Sequence, residues 1–172
     1  MLPRLVRALR SGGVSRVTVV TRADLQTEFD GREPLSECRV LHNPNPELGR
    51  MSSIQCGLQG LSENEAVLIH PCDIPLLSAD AVHALLSAWS QENRRDEFCA
   101  RLVTPTGKGG HPLVIGAARV PELSALGPNQ TLRDLIQAKP ELRLDVIRRG
   151  DPGPFLDVNT PEQLAFMEDL LG

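Results

Sequence analysis

Apolar positions along the chain fall into short β-branched runs, separated by longer stretches in which they recur at helical spacing. The runs Arg16–Val20, Cys38–Leu41, Ala66–Ile69, Ala100–Val103, Pro112–Ile115 and Leu142–Ile147 predict strands. Helical spacing predicts helices near Leu2–Arg10, Ser52–Leu61, Ala79–Trp89, Leu132–Ala138 and Pro161–Leu171. Strand and helix in alternation imply an α/β layered sheet with right-handed crossovers. Proline and glycine cluster in the connections Asn43–Gly49, Pro105–Gly110 and Gly150–Pro154. With 172 residues, no repeat and no compositional break, residues 1–172 are expected to form a single domain.

Composition narrows the function classes. A net charge of -4 argues against broad electrostatic capture of nucleic acid. Arg4, Arg7, Arg10, Arg16 and Arg22 do crowd the first stretch, but Leu2, Leu5, Val6 and Leu9 lie between them. That pattern reads as an amphipathic helix with a solvated basic face rather than a targeting segment, because it runs straight into a strand. No apolar run is long enough to span a bilayer, so no membrane partner is expected. Cys38, Cys56, Cys72 and Cys99 lie far apart and form no CxxC pair, which speaks against structural zinc and a disulfide framework. Reduced thiols in a cytoplasmic protein are the plain expectation.

Four segments carry candidate chemistry. In Val67-Leu68-Ile69-His70-Pro71-Cys72-Asp73-Ile74-Pro75, an apolar strand delivers a carboxylate at its C-terminal end, where open α/β sheets bind ligands. Asp73 there suits a hard cation held against phosphate oxygens. The blander use, capping the helix that follows, is one Ser78 can fill. In Asn43–Leu58, a loop with a glycine turn leads into a helix whose first turn holds Ser52 and Ser53; a helix N-terminus suits phosphate or a polar base edge, and serine is also an ordinary cap. Thr104–Pro112 contains a Gly-Lys pair but lacks the other P-loop residues, so it reads as a hairpin-like loop. His111 at its end contacts a substrate or fills a tight corner. In Phe155–Leu164, Asp157 and Asn159 alternate on an extended segment and face one side, while Thr160 caps a helix with Pro161 at its first position. That pair of oxygen donors could complete a magnesium site with Asp73. The chain has no GxGxxG, no GxSxG and no DxD.

Together and in this order, the segments resemble the MobA-like nucleotidyltransferase family, in particular the molybdenum cofactor cytidylyltransferases. The matching residues are Asn43-Pro44, Gly49-Arg50-Met51-Ser52-Ser53-Ile54, Gly57-Leu58, Pro71-Cys72-Asp73-Ile74-Pro75-Leu76, Gly110-His111-Pro112 and Asp157-Val158-Asn159-Thr160-Pro161-Glu162. The resemblance implies a Rossmann-like three-layer sandwich around a mostly parallel sheet. It also implies transfer of a nucleotidyl group from a nucleoside triphosphate, CTP or GTP, to a molybdopterin-like acceptor. Asp73 and Asp157 would be catalytic, and Mg2+ would be held by Asp73, Asp157 and Asn159. Asn43, Gly49, Ser52, Ser53, Gly110 and His111 would bind substrate.

Two departures accompany the resemblance. Cytidylyltransferase relatives usually carry Asp at the position of Asn159, whereas the guanylyltransferase branch tolerates Asn. The family also opens with a strand and a Gly-rich, basic loop, while this chain begins in the helix that follows. The expectation is therefore an N-terminally truncated domain whose first strand is missing. An upstream start, a strand supplied by a partner, and an inactive paralogue that binds nucleotide, pterin or a partner protein are the competing accounts. A homodimer whose open strand edges complete each other is a further expectation.

Overall fold

The computed structural model describes residues 1–22, 24, 35–127 and 129–171. Helix α1 (Leu2–Ser11) leads into β1 (Thr18–Thr21), which pairs in parallel with β2 (Arg39–His42). Helix α2 (Arg50–Gly57), β3 (Val67–Ile69) and α3 (Ala79–Ser90) follow, then β4 (Cys99–Val103) and β5 (Gly109–Ile115). The chain continues through α4 (Val120–Ser124), α5 (Leu132–Ala138) and β6 (Arg143–Ile147) to α6 (Pro161–Leu171). Every predicted strand and helix is present, with ends displaced by a few residues. The short α4, which follows the turn Ala117–Arg119, was not predicted.

Strands β3, β5, β4 and β6 form a four-stranded sheet in that order. Strand β5 runs against both β3 and β4, and β4 runs with β6. The Thr104–Pro112 segment is the β4–β5 hairpin its composition predicts, closed by the Thr104 N–H donating to the Lys108 carbonyl at 2.9 Å. Two ion pairs mark how the β1–β2 pair stands against this sheet. Arg16, just before β1, meets Glu65, just before β3. Arg50, beyond β2, reaches Asp73, beyond β3, at 3.7 Å. Like ends therefore lie together, and all strands but β5 point one way, which gives the mostly parallel α/β architecture. No strand among the described residues joins β1 to β3, so the sheet is split there.

Side chains alternate across the larger sheet, as pleating requires. Leu68, Ala100, Leu102 and Val114 face Leu5 of α1 and Leu77, Val82 and Leu85 of the α3 region. Val67, Ile69, Cys99, Leu113 and Ile115 face Met51 of α2, Leu123 of α4 and Leu135 and Ile136 of α5. Helices thus cover both faces, which makes three layers. The basic face of α1 is solvated as predicted, with Arg4 and Arg7 exposed and Leu5 and Val6 buried. Within the second core, the buried Arg119 guanidinium is satisfied by the Leu135 carbonyl at 2.7 Å, Glu122 and the Cys99 sulfur. No disulfide joins the cysteines, and no helix among the described residues is long and apolar enough to cross a membrane.

Helices α1 and α3 meet at Gly12, where an added Cβ would stand 2.4 Å from the Val82 Cβ and 2.9 Å from the Ala79 carbonyl oxygen. Backbone cannot retreat as a flexible side chain would, so Gly12→Ala should cost about 1–3 kcal/mol through overpacking. Urea unfolding measures it; an unchanged midpoint would contradict this contact.

Candidate active site

The site forms where strand ends meet loops that lack regular structure. Beyond β3, Pro71 and Pro75 end the strand and hold Asp73 at the rim, with its side chain about one-third exposed. Ser78 caps α3 by accepting from the Ala81 N–H at 3.1 Å, so Asp73 is not used as the cap. The Asp73 carbonyl accepts the Val158 N–H at 2.7 Å. This one main-chain bond brings the distant Asp157–Asn159 segment against the end of β3. There the Asn159 amide donates to Asp157 at 2.8 Å. The cap of α6 does not use Asp157, because the Thr160 hydroxyl accepts the Gln163 N–H and the Gln163 side-chain oxygen accepts the N–H groups of Thr160 and Asn159.

On the β2 side, Asn43 is buried and fully bonded. Its amide donates to the Ser52 hydroxyl at 2.8 Å and the Ser53 hydroxyl at 3.0 Å, and its carbonyl oxygen accepts the Asn45 N–H at 2.9 Å. Ser52 in turn donates to the backbone carbonyls of Gly49 and Asn45. The helix starts at Arg50 rather than Ser52, and its N-cap is Gly49, at φ +83°, a left-handed conformation that L side chains rarely adopt. Neither serine caps α2, and no side chain caps it, so its first N–H groups remain available at the rim.

Gly49, Ser53, Asp73, Gly110 and His111 line one large cavity, together with Arg50, His70 and Lys108. Asn159 lines a smaller hollow of about 310 Å³ that shares Asp73. Asn43 and Ser52 stand behind the wall as loop supports. Gly110 is itself buried, and a Cβ there would lie 2.4 Å from the Phe155 ring and 2.7 Å from the Pro154 carbonyl oxygen. Its small size thus lets β5 seat the segment that leads to Asp157.

Charge at the rim is mixed. Arg50 is mostly exposed, so its 3.7 Å contact with Asp73 contributes little to stability and is easily exchanged for another anion. The Asn159 hydrogen bond holds the Asp157 carboxyl below its ordinary value, with help from the Lys108 charge. Burial pushes the His111 imidazole down, and the Arg50 cation adds to that. The His70 and His111 rings pack edge to face with centroids 6.3 Å apart. His70 bonds the Ile74 carbonyl through Nε2 at 2.9 Å, which leaves a buried Nδ1 without a partner. Arg50, His70 and Lys108 were not singled out as site residues from the sequence. Arg50 lay within the quoted motif, Lys108 within the loop set aside as a failed P-loop, and His70 carried no signal beyond its place at a strand end.

The donor set suits a hard divalent cation. Asp73 borders both cavities and Asn159 the smaller one, whereas Asp157 lines neither and is joined to them through its bond from Asn159. No group of three or more His, Cys, Asp or Glu side chains gathers among the described residues. A magnesium-type ion needs no such cage, because phosphate oxygens and water complete its shell.

Residues 1–144 match the family model of the MobA-like NTP transferase domain. Among solved structures, the chain is similar to Rv0371c from Mycobacterium tuberculosis H37Rv, at 13% identity and TM-score 0.74 over 97% of this chain and 82% of that one. An Rv0371c homologue from Mycobacterium sp. strain JC1 gives 19% identity and TM-score 0.77, over 98% and 81%. A 4-diphosphocytidyl-2C-methyl-D-erythritol synthase gives 16% and 0.72, over 99% and 88%. Rv0371c has also been solved in complex with manganese. No curated protein matches the chain in sequence.

Burial moves the His70 imidazole from 6.5 down to about 4, against the opposing effect of its bond to Ile74. Between those values the unfolded chain takes up a proton that the folded chain refuses. Stability should therefore fall as pH drops from about 6.5 towards 4, by on the order of 1–3 kcal/mol. Denaturant titrations at several pH values should show that slope in the wild type and a shallower one in His70→Gln. Equal slopes would contradict the assignment.

Proposed function

We propose a reaction from the premise that the chain belongs to the MobA-like NTP transferase domain family, as the match over residues 1–144 establishes. The reaction is magnesium-dependent transfer of a nucleotidyl group, CMP from CTP, to a phosphorylated acceptor such as molybdopterin, in the cytoplasm. The Val158–Asp73 main-chain bond supports the reading, because it ties two distant acid-bearing segments together at the end of one strand. An acceptor phosphate oxygen attacks the α-phosphorus, a new P–O bond forms, the α–β bond breaks, and pyrophosphate leaves. That nucleophile is already ionised at neutral pH, so no side chain need remove a proton. A bound divalent ion would supply charge neutralisation as negative charge shifts to the leaving group.

Each residue has a role in this scheme. Asp73 and Asp157 hold the ion, with the Asn159 amide oxygen as a third, neutral donor. The uncapped N-terminus of α2 and Ser53 face the nucleotide, while Asn43, Ser52 and Gly49 fix the loop that presents them. Arg50 leaves Asp73 for phosphate when the triphosphate arrives. His111, kept neutral by burial, lines the acceptor pocket, and Gly110 lets that wall close.

A second reading, nucleotide or pterin binding without turnover, draws support from the Arg50–Asp73 ion pair, which occupies the carboxylate an ion would need. Calorimetry separates the readings, because affinity for CTP with magnesium should fall in Asp73→Ala only if the ion bridges to phosphate.

The activity test is pyrophosphate release with CTP or GTP and a phosphorylated pterin acceptor. Asp73→Asn and Asp157→Asn should each lower turnover by roughly a hundredfold or more. Turnover unaffected by both changes would sink the proposal, as would a wild-type chain silent with every triphosphate and acceptor.

A further inference from the structure

On the larger sheet, a single carboxylate holds two arginines. Arg101 of β4 donates through Nε to the Asp145 Oδ1 at 2.7 Å and through Nη2 to Oδ2 at 3.4 Å. The Nε of Arg143, on the same strand as Asp145, lies 3.3 Å from that Oδ2. Register places Ile69, Leu113, Arg101 and Asp145 in one row across β3, β5, β4 and β6. Cys99 and Leu113 flank Arg101 on this face, and both belong to the core that Leu135 and Ile136 of α5 close. A guanidinium framed by core residues gains the fold little, because an ion pair there competes with apolar packing that is often as good.

The surroundings turn the pair towards a ligand. Arg101 and Arg143 line the large cavity and Asp145 does not, so the cations face the open space while their counter-charge is set aside. The Arg101 Nη1 and both terminal nitrogens of Arg143 donate to no acceptor among the described residues. At Gly109 an added Cβ would stand 2.5 Å from the Arg101 Nη1, so bare backbone is what lets the guanidinium lie in the cavity wall. Lys108, next along that wall, forms no ion pair among the described residues. The Arg101 and Arg143 side chains are 23% and 34% exposed, shielded enough to strengthen their field and open enough to be reached.

We propose that Arg101, Arg143 and Lys108 form an oxyanion-binding subsite for the acceptor, which seats one of its anionic groups away from the reacting atoms. Asp145 is a positioning residue that fixes both guanidinium planes. Planar forks of this kind match phosphate or carboxylate through paired bonds, and Lys108 adds a mobile point charge. The triphosphate is the poorer source of the anion. Its metal-bound oxygens belong beside Asp73, beyond the end of β3, whereas Arg101 stands in the row of Ile69 on the sheet face. Assignment to the acceptor rests on the proposed transfer; the subsite itself does not.

The probe is inorganic phosphate, titrated into the full isotope-labelled chain while the arginine Nε–H resonances are followed. Saturable binding at a roughly millimolar dissociation constant should shift the Arg101 and Arg143 signals. Sodium chloride at matched ionic strength should leave them in place. Arg101→Gln should weaken phosphate binding about tenfold or more. Gly109→Ala keeps every charge and displaces only Nη1, so it should weaken phosphate several-fold. In both variants the affinity for CTP with magnesium should stay within about twofold of wild type, and saturating CTP should leave the phosphate-induced shifts intact.

Arginine signals that do not move, that move equally with chloride, or that report unchanged phosphate affinity in both variants would overturn the subsite. Phosphate displaced by CTP, or CTP weakened about tenfold in Arg101→Gln, would make the nucleotide the source of the anion and refute the acceptor assignment. Phosphate held at the arginines by a chain that binds no CTP would remove the transfer reading and the acceptor assignment together. CTP bound while the arginines stay silent to phosphate would remove the subsite alone.

Discussion

The hydrogen bond from the Val158 N–H to the Asp73 carbonyl is the contact on which the candidate chemistry depends. It is short, uses main chain only, and ties the segment after β6 to the end of β3. Without it, Asp157 and Asn159 would sit on a tail with no fixed relation to Asp73. Two supports hold the same arrangement from behind. Gly110 lets Phe155 and Pro154 pack on β5. Asp151, bonded to Ser78 and to the Gly153 N–H, anchors the approach to that turn.

Electrostatics at the rim follow from this placement. Asp73 and Asp157 are acceptor-rich and reachable from solvent, and their present partners, an exposed arginine and a neutral amide, are readily displaced. The two histidines behind them are more buried and are driven towards the neutral form, so they add shape and polarity without adding competing positive charge. The wall opposite, built on Asn43, is rigid because each polar atom of that amide is bonded. One rigid wall faces one exchangeable ionic edge, an arrangement suited to binding a charged ligand through a metal.

Much of this was legible in the sequence where signals are local. The ends of β3 and α3 follow from Pro71, Pro75 and the Ser78 cap, and the start of α6 from Thr160-Pro161. The β4–β5 hairpin follows from its glycine-rich turn. The family resemblance rests on such local segments, and the match over residues 1–144 bears it out. What escaped depends on contacts between distant stretches. Nothing near Arg50 announces Asp73 as its partner, and nothing near His70 announces His111. The start of α2 was misplaced because serine is a common cap, whereas here both hydroxyls are drawn to Asn43 and a left-handed glycine opens the helix. The burial of Arg119 was equally hidden, since its partners come from β4 and two later helices.

The split sheet and the rim share one cavity, so the chain's most open structural feature adjoins its most reactive groups. The proposed function requires Asp73 and Asp157 to act on one divalent ion. The most direct measurement is electron paramagnetic resonance of manganese titrated into the chain with CTP, for the wild type, Asp73→Asn, Asp157→Asn and the double variant. A shared ion predicts that each single change weakens binding and that the two losses are strongly non-additive. Additive losses, or manganese affinity indifferent to either carboxylate, would contradict the account.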